Sequence, residues 1–410
     1  MVAFALSLLS GLALHSSVVS AKLPGGIGPA STGHKGVSTP CETSKTKLPT
    51  STTAAASPLP SGHHENSTTY FNYSTLNGIF LQDLNSTNQT GFDYTAQNFG
   101  LLNTTYPIPP PPIRNPTQWQ LLNHYLTHLN RASPRAVTYK LLFLARHGQG
   151  VHNGAETFYT TPNWNCYYAQ ADGNSTATWF DAALLPSGTT QAFRARNYWA
   201  RLLAEESITP PSSFYVSPLT RCLQTAEDEW RNLTLPRGYE FRPLVKEKLR
   251  EGISIHSCDR RHPRRDIAAA FPRVRFEKGF SEEDPLWSGV EAETSKAQDL
   301  RSAELLDDVF GSDEAQVISF TSHSGEIASL LRVVGHRVWG LATGEVLPVV
   351  VRAERGRGAR EVGSASWTSS QWCTNGAPVT SISGGACVCQ NGVSPTAVSP
   401  GLVFTTRPVM

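Results

Sequence analysis

The segment Leu141-Leu142-Phe143-Leu144-Ala145-Arg146-His147-Gly148-Gln149-Gly150-Val151-His152-Asn153 restricts this chain more than any other. The apolar run from Val137 to Ala145 predicts a strand buried in a parallel sheet. It ends abruptly in Arg-His-Gly, which puts a guanidinium and an imidazole at the carboxyl end of a strand, where open α/β sheets place their ligand crevice. Gly148 and Gly150 permit a sharp turn and a close backbone approach to a ligand. A neutral imidazole offers a lone pair, and a fixed arginine beside it neutralises the oxygens of a phosphoryl group. On the tripeptide alone, a strand end with a solvated arginine and a satisfied histidine would read the same way.

Three downstream stretches add the missing parts. Phe214-Tyr215-Val216-Ser217-Pro218-Leu219-Thr220-Arg221-Cys222 reads as strand, turn and helix start, with Pro218 and Arg221 in the first turn. There Arg221 would lie near free N–H groups that attract anions. Val317 to Phe320 is another apolar strand, ending in Thr321-Ser322-His323-Ser324-Gly325-Glu326 before a helix. Leu249-Arg250-Glu251-Gly252 supplies a carboxyl group beside a glycine turn. Two strand-end histidines, two arginines and one carboxylate are the components of a phosphoryl-transfer site.

In this order and spacing the four stretches resemble the histidine phosphatase (phosphoglycerate-mutase-like) superfamily, in its Ser-x-Leu-x-Arg-containing branch. The resemblance runs from about Val137 to Arg352. Cys258-Asp259-Arg260-Arg261, Asp284-Pro285-Leu286-Trp287 and Gly335-His336-Arg337 are similar to secreted and vacuolar-type fungal members. It implies a three-layer α/β/α sandwich around a mostly parallel sheet, with irregular N- and C-terminal extensions. It further implies that His147 is the nucleophile, becoming a phosphohistidine. Arg146, Asn153, Arg221 and His323 would hold the phosphoryl oxygens, and Glu251 would be the general acid. Arg260, Arg261, Arg264 and Arg265 read equally as an anion-attracting rim or as a solvated loop paired with acids.

The loop departs from Arg-His-Gly-x-Arg-x-Pro, and Ser324 rather than Asp follows His323, which argues against the phytase and acid-phosphatase branch. The expected activity is hydrolysis of phosphate monoesters on a small phosphorylated substrate. The alternatives are a mutase-like phosphotransferase and a catalytically idle secreted or cell-wall binding protein. No cofactor is expected, and no metal either, because carboxylates do not cluster in the sequence and two guanidiniums do a cation's work.

Composition limits partners and compartment. A net charge of +2 over 410 residues gives no reason to expect nucleic-acid binding. Val2 to Leu14 followed by Val19-Ser20-Ala21 reads as a signal peptide over residues 1–21, although its first residues carry no Lys or Arg. No later stretch is long enough to span a bilayer. Sequons at Asn66, Asn72, Asn85, Asn88, Asn103, Asn174 and Asn232 support a secreted glycoprotein. Seven cysteines leave at least one without an intrachain partner. Among Cys373, Cys387 and Cys389 a tail disulfide is favoured over a metal cluster, since no histidine lies near. Cys222 reads as a small buried hydrophobe or a half-cystine.

The chain divides as follows. Residues 22–65 are Ser/Thr/Pro-rich and cannot bury enough apolar surface to order. Residues 66–135 hold a glycosylated arm with scattered aromatics, a Pro107–Pro112 spacer and a helix bearing Trp119, Leu122, Tyr125 and Leu129. The catalytic domain spans 136–355, and 356–410 is an irregular Cys-containing tail. Within the domain, residues 163–181 read as an active-site insertion whose aromatics pack together more readily than they wall a substrate. Ser187 is placed at the cap of the next helix. Pro348 within Val346–Val351 suggests an edge strand.

Overall fold

The strands that end in chemically useful residues lie side by side in one sheet. The computed structural model describes residues 70–356, 366–374, 381–383, 386–390 and 396–397. In chain order the main elements are β1 Phe71–Thr75, α1 Gln118–Ala132, β2 Val137–Arg146, α2 Val151–Tyr159, α3 Thr161–Cys166 and α4 Pro186–Glu205. Next come β3 Ser213–Val216, α5 Thr220–Trp230, β4 Leu244–Val245, α6 Arg264–Ala270, β5 Arg275–Phe276 and β6 Glu291–Glu293. The chain continues through α7 Ser295–Ser312, β7 Val317–Ser322, α8 Ser324–Val333 and β8 Val346–Arg355. In the tail are β9 Trp367–Ser369, β10 Gln371–Trp372, β11 Ser381–Ser383, β12 Ala386–Val388 and β13 Thr396–Ala397.

Among the described residues a seven-stranded sheet runs β1-β8-β2-β7-β3-β4-β5. The pairs β2–β7, β7–β3, β3–β4 and β4–β5 are parallel, and β8 and β1 extend the sheet antiparallel. Alternation along β2 sends Leu142 and Leu144 toward α7 and α8, where they join Leu306, Val309, Ile327 and Leu330. Leu141, Phe143 and Ala145 face the other way, against Leu122, Trp199 and Trp230 of α1, α4 and α5. This is the expected three-layer α/β/α sandwich with a mostly parallel sheet.

The arm is joined to the sheet. β1 pairs with β8 from Phe71↔Arg355 to Thr75↔Val351, and the buried Phe99 ring lies 5.3 Å from that of Phe143. β8 is therefore interior from Val351 to Arg355, while around Pro348 it pairs only with β2, so the edge that Pro348 suggested holds for part of the strand. The missing N–H of Pro348 is tolerated because β1 stops at Thr75, so its pairing ends short of Pro348. Ser187 also lies elsewhere than expected: α4 starts one residue earlier at Pro186, and Ser187 Oγ donates to Gln149 Oε1 at 2.7 Å. Pro218 precedes α5, outside its first turn.

The tail has order of its own. β9 pairs with β6, β10 with β13 and β11 with β12. Cys373–Cys389 closes within the tail, and Cys166–Cys387 fastens the tail to the insertion. Cys222 and Cys258 are free and buried. Trp164 and Trp179 pack with Ala169, Ala182 and Cys258, so they serve the insertion's own core. The expected signal peptide, the Ser/Thr/Pro-rich segment, Cys41 and Asn66 lie outside the described residues. Among the described residues no helix is long and apolar enough to cross a membrane.

Candidate active site

Parallel register aligns the carboxyl ends of three strands. Arg146 pairs with Ser322, and Val216 with Thr321, so His147, Ser217 and His323 leave the sheet at one level. The ring centroids of His147 and His323 are 5.1 Å apart. His147 is 1% exposed, and its Nδ1 lies 2.7 Å from the Gly148 carbonyl. A carbonyl only accepts, so Nδ1 carries the proton and Nε2 keeps the lone pair. Burial, then the charge of Arg221, hold this imidazole well below its usual pKa; Arg146 adds to that, and the Gly148 bond opposes it. His147 is thus neutral, as a nucleophile must be.

Arg221 is fixed on three sides. Its Nη1 donates to the Cys258 carbonyl at 2.6 Å, its Nη2 to Asp259 Oδ1 at 2.9 Å and its Nε to His323 Nδ1 at 3.2 Å. A guanidinium has five N–H donors, so about two are left for an anion. Burial works against its charge, but Asp259 reverses that and raises its pKa. His323 Nε2 lies 2.8 Å from Ser217 Oγ and 3.3 Å from Cys222 Sγ, so both ring nitrogens have protein partners. Arg146 Nη1 donates to the Leu341 carbonyl at 2.6 Å, while its Nε is buried without a partner.

The N-termini of α5, which the sequence left open to an anion, and of α8 are both capped by carboxylates. Asp181 accepts from the Thr220 N–H of α5 at 2.7 Å. Glu251 accepts from the N–H groups of Gly325 at 3.2 Å and Glu326 at 3.1 Å, at the start of α8. Arg301 holds the backbone below it, donating to the carbonyls of Lys248, Arg250 and Glu251. Asn153 Oδ1 accepts from the Gly150 N–H at 2.9 Å, which leaves its amide NH2 as a donor.

Sequence reasoning missed Thr225, Asp259 and His152. Thr225 Oγ1 accepts from Gly148 N–H at 3.0 Å and donates to the Arg221 carbonyl at 2.7 Å, tying the loop after β2 to α5. Asp259 appeared in the sequence as part of a family-like run and as a second choice of acid, not as a partner of Arg221; that ion pair is long-range and carries no local signal. His152, in the first turn of α2, has its ring centroid 5.4 Å from that of His147. Gly148 is needed for packing: a Cβ there would meet the Gly188 carbonyl oxygen at 2.3 Å, in the first turn of α4.

The basic run pairs with acids. Arg260 meets Asp172, Arg261 meets Glu247 and Arg265 meets Glu282 and Glu283, while Arg264 lies over the Phe276 ring. Among the described residues the one group with metal-ligand proximity is His256, Cys258 and Asp259, whose donor atoms lie within 4.8 Å of one another. Asp259 already holds Arg221, whose charge beside the group disfavours a cation.

A family model described as the histidine phosphatase superfamily (branch 1) matches residues 142–342. A protein of Arthroderma benhamiae named "Probable phosphoglycerate mutase" is 41% identical over 70% of this chain and 87% of its own. "Phosphomutase-like protein 3" of Candida albicans is 40% identical over 60% of this chain and 76% of its own. A "Probable phosphoglycerate mutase" of Saccharomyces cerevisiae is 34% identical over 58% and 90% respectively.

Proposed function

The chain belongs to the histidine phosphatase superfamily, branch 1, and from that premise we propose that it is a secreted, metal-independent phosphomonoesterase working through a phosphohistidine. The observation that carries this reading is the His147 Nδ1–Gly148 bond, which leaves Nε2 as a neutral nucleophile within the field of Arg221 and Arg146. His147 Nε2 attacks phosphorus, and the bond to the ester oxygen breaks. Arg146, the spare donors of Arg221 and the Asn153 amide neutralise and orient the phosphoryl oxygens, the main requirement of such transfers. His323 acts by fixing Arg221 and lying against the nucleophile. Glu251 gives the leaving oxygen its proton, then takes one from the water that attacks the phosphohistidine, releasing phosphate and neutral His147.

Secretion is supported by the two disulfides and by the exposure of every described sequon asparagine. A secreted protein would not meet glycolytic intermediates, which favours hydrolysis. The names of the relatives favour the second reading, a mutase-like phosphotransferase. Purified protein assayed on a nitrophenyl phosphate with chelator present separates them. Sustained turnover that is lost in His147→Ala supports the hydrolase. A burst without turnover supports the transferase, and silence an idle fold. Activity removed by chelator and restored by zinc or magnesium would overturn metal independence.

A further inference from the structure

We propose that His152 contacts the substrate, donating its Nε2–H to an oxygen of the bound phosphoryl group as a further imidazole beside His147 and His323. The inference rests on the phosphohistidine reading given above.

His152 is only 9% exposed, and among the described residues neither of its ring nitrogens has a hydrogen-bond partner. Buried polar groups are nearly always paired, and an unpaired one is destabilising relative to an apolar ring of the same shape. A position that only filled space would be better served by Leu or Phe. His152 instead sits 5.4 Å from the nucleophile's ring, with Arg146, Arg221, His147 and His256 as the charged or titratable groups facing it.

The two nitrogens have different surroundings. Nδ1 is shielded from solvent and lies against Gly150, where a Cβ would meet it at 2.7 Å. Nε2 is not among the shielded atoms. A stranded acceptor is tolerated better than a stranded N–H, so the proton belongs on Nε2, the nitrogen that is not shielded from solvent. Burial and the neighbouring arginines keep the ring neutral, so it serves as a donor and adds no further charge beside Arg221. The geometry also gives Gly150 its purpose. The helix can begin at Val151 and turn its second side chain back over the loop only if nothing projects from Gly150.

The need for such a donor follows from the wiring of the pocket. Both nitrogens of His323 are occupied by Arg221 and Ser217, so that imidazole reaches an anion only by giving up a partner. His152 gives up nothing.

The test compares His152→Phe, which keeps a ring and removes the donor, with His152→Gln, which keeps an N–H, in the full-length protein. The readouts are kcat/KM on a nitrophenyl phosphate, competitive inhibition by orthovanadate, and the melting temperature. The Phe variant should lose about 100- to 1,000-fold in kcat/KM, the usual effect of removing one transition-state donor, and should bind vanadate more weakly. Its melting temperature should hold or rise, and Gln should recover part of the loss. A purely structural role predicts the reverse: a lower melting temperature with undiminished vanadate affinity in the folded fraction. A Phe variant within about twofold of an active wild type in rate and inhibition overturns this inference alone. A wild type that neither forms phosphohistidine nor turns over overturns the preceding reading, and this one with it.

Discussion

The carboxylate of Glu251 rests on the backbone N–H of Gly325, 3.2 Å from Oε2, and a Cβ on that glycine would meet Oε1 at 2.3 Å. The proposed acid therefore caps the helix that begins just after His323. Glu251→Gln should lose about 100- to 10,000-fold on alkyl phosphates, whose basic leaving oxygen needs a proton. The loss in the phosphorylation step with a nitrophenyl ester should be much smaller, and phosphoenzyme should accumulate. Gly325→Ala, which displaces the carboxylate, should follow the same pattern in milder form. Single-turnover rates decide this, and equal losses for both ester types would falsify Glu251 as the acid. Asp259, held by Arg221, is a poor substitute.

The pH dependence of the first step follows from the state of His147. Its pKa is lowered well below 6.5 by burial and by Arg221, and only the neutral ring attacks. Phosphoenzyme formation from a saturating nitrophenyl ester, which needs little help from an acid, should stay flat as the pH falls through 6.5 and decline only below it. A rate halved at 6.5 would mean an unperturbed nucleophile. Rapid-quench measurement of labelled phosphohistidine across that range makes the distinction.

Stability should carry a signature of Glu229. Burial pushes its carboxyl up to about 8, although Trp199 Nε1 donates to it at 2.9 Å, against an ordinary value of 4.5. The folded chain then holds a proton that the unfolded chain has lost. The stabilisation is complete below 4.5 and disappears as the pH rises toward 8, at about 1.4 kcal/mol per pH unit. Glu229→Gln keeps an acceptor for Trp199 without the charge. It should match the wild type in denaturant melts near the lower pH and exceed it near the upper one. Parallel stability curves at both would remove Glu229 from this role.

The glycosylation reading is open to a gel. Asn72, Asn85, Asn88, Asn103, Asn174 and Asn232 are all exposed, as acceptor sites must be. Protein made through a secretory pathway should begin near Lys22 and run heavy until treated with an endoglycosidase. An unshifted band, or an N-terminus still at Met1 in a membrane pellet, rules the location out.

The parts of this protein legible in its sequence are those written in contiguous residues. β2, β3 and β7 each announce themselves as apolar runs that stop at a polar residue, and parallel pairing brings their carboxyl ends to one level. The layer architecture and the meeting of His147, Arg221 and His323 follow from that. Tertiary structure decided what depends on which distant segment arrives where. Pro348 marked a stretch of β8 open on one side, but not that β1, from the arm, would pair with the rest of that strand from Val351 to Arg355. The start of α5, which looked open to anions, was filled by Asp181, the start of α8 by Glu251, and Arg221 was fixed by Asp259, 38 residues further along the chain. Cys166 found Cys387 across a separation of 221 residues. Gly148 and Gly150, which in sequence suggest a tight turn, are small because Gly188 and His152 press against them. Hydrophobic periodicity is a property of neighbours along the chain, whereas ion pairs, caps and close contacts are chosen by the packing of elements, so no local pattern records them.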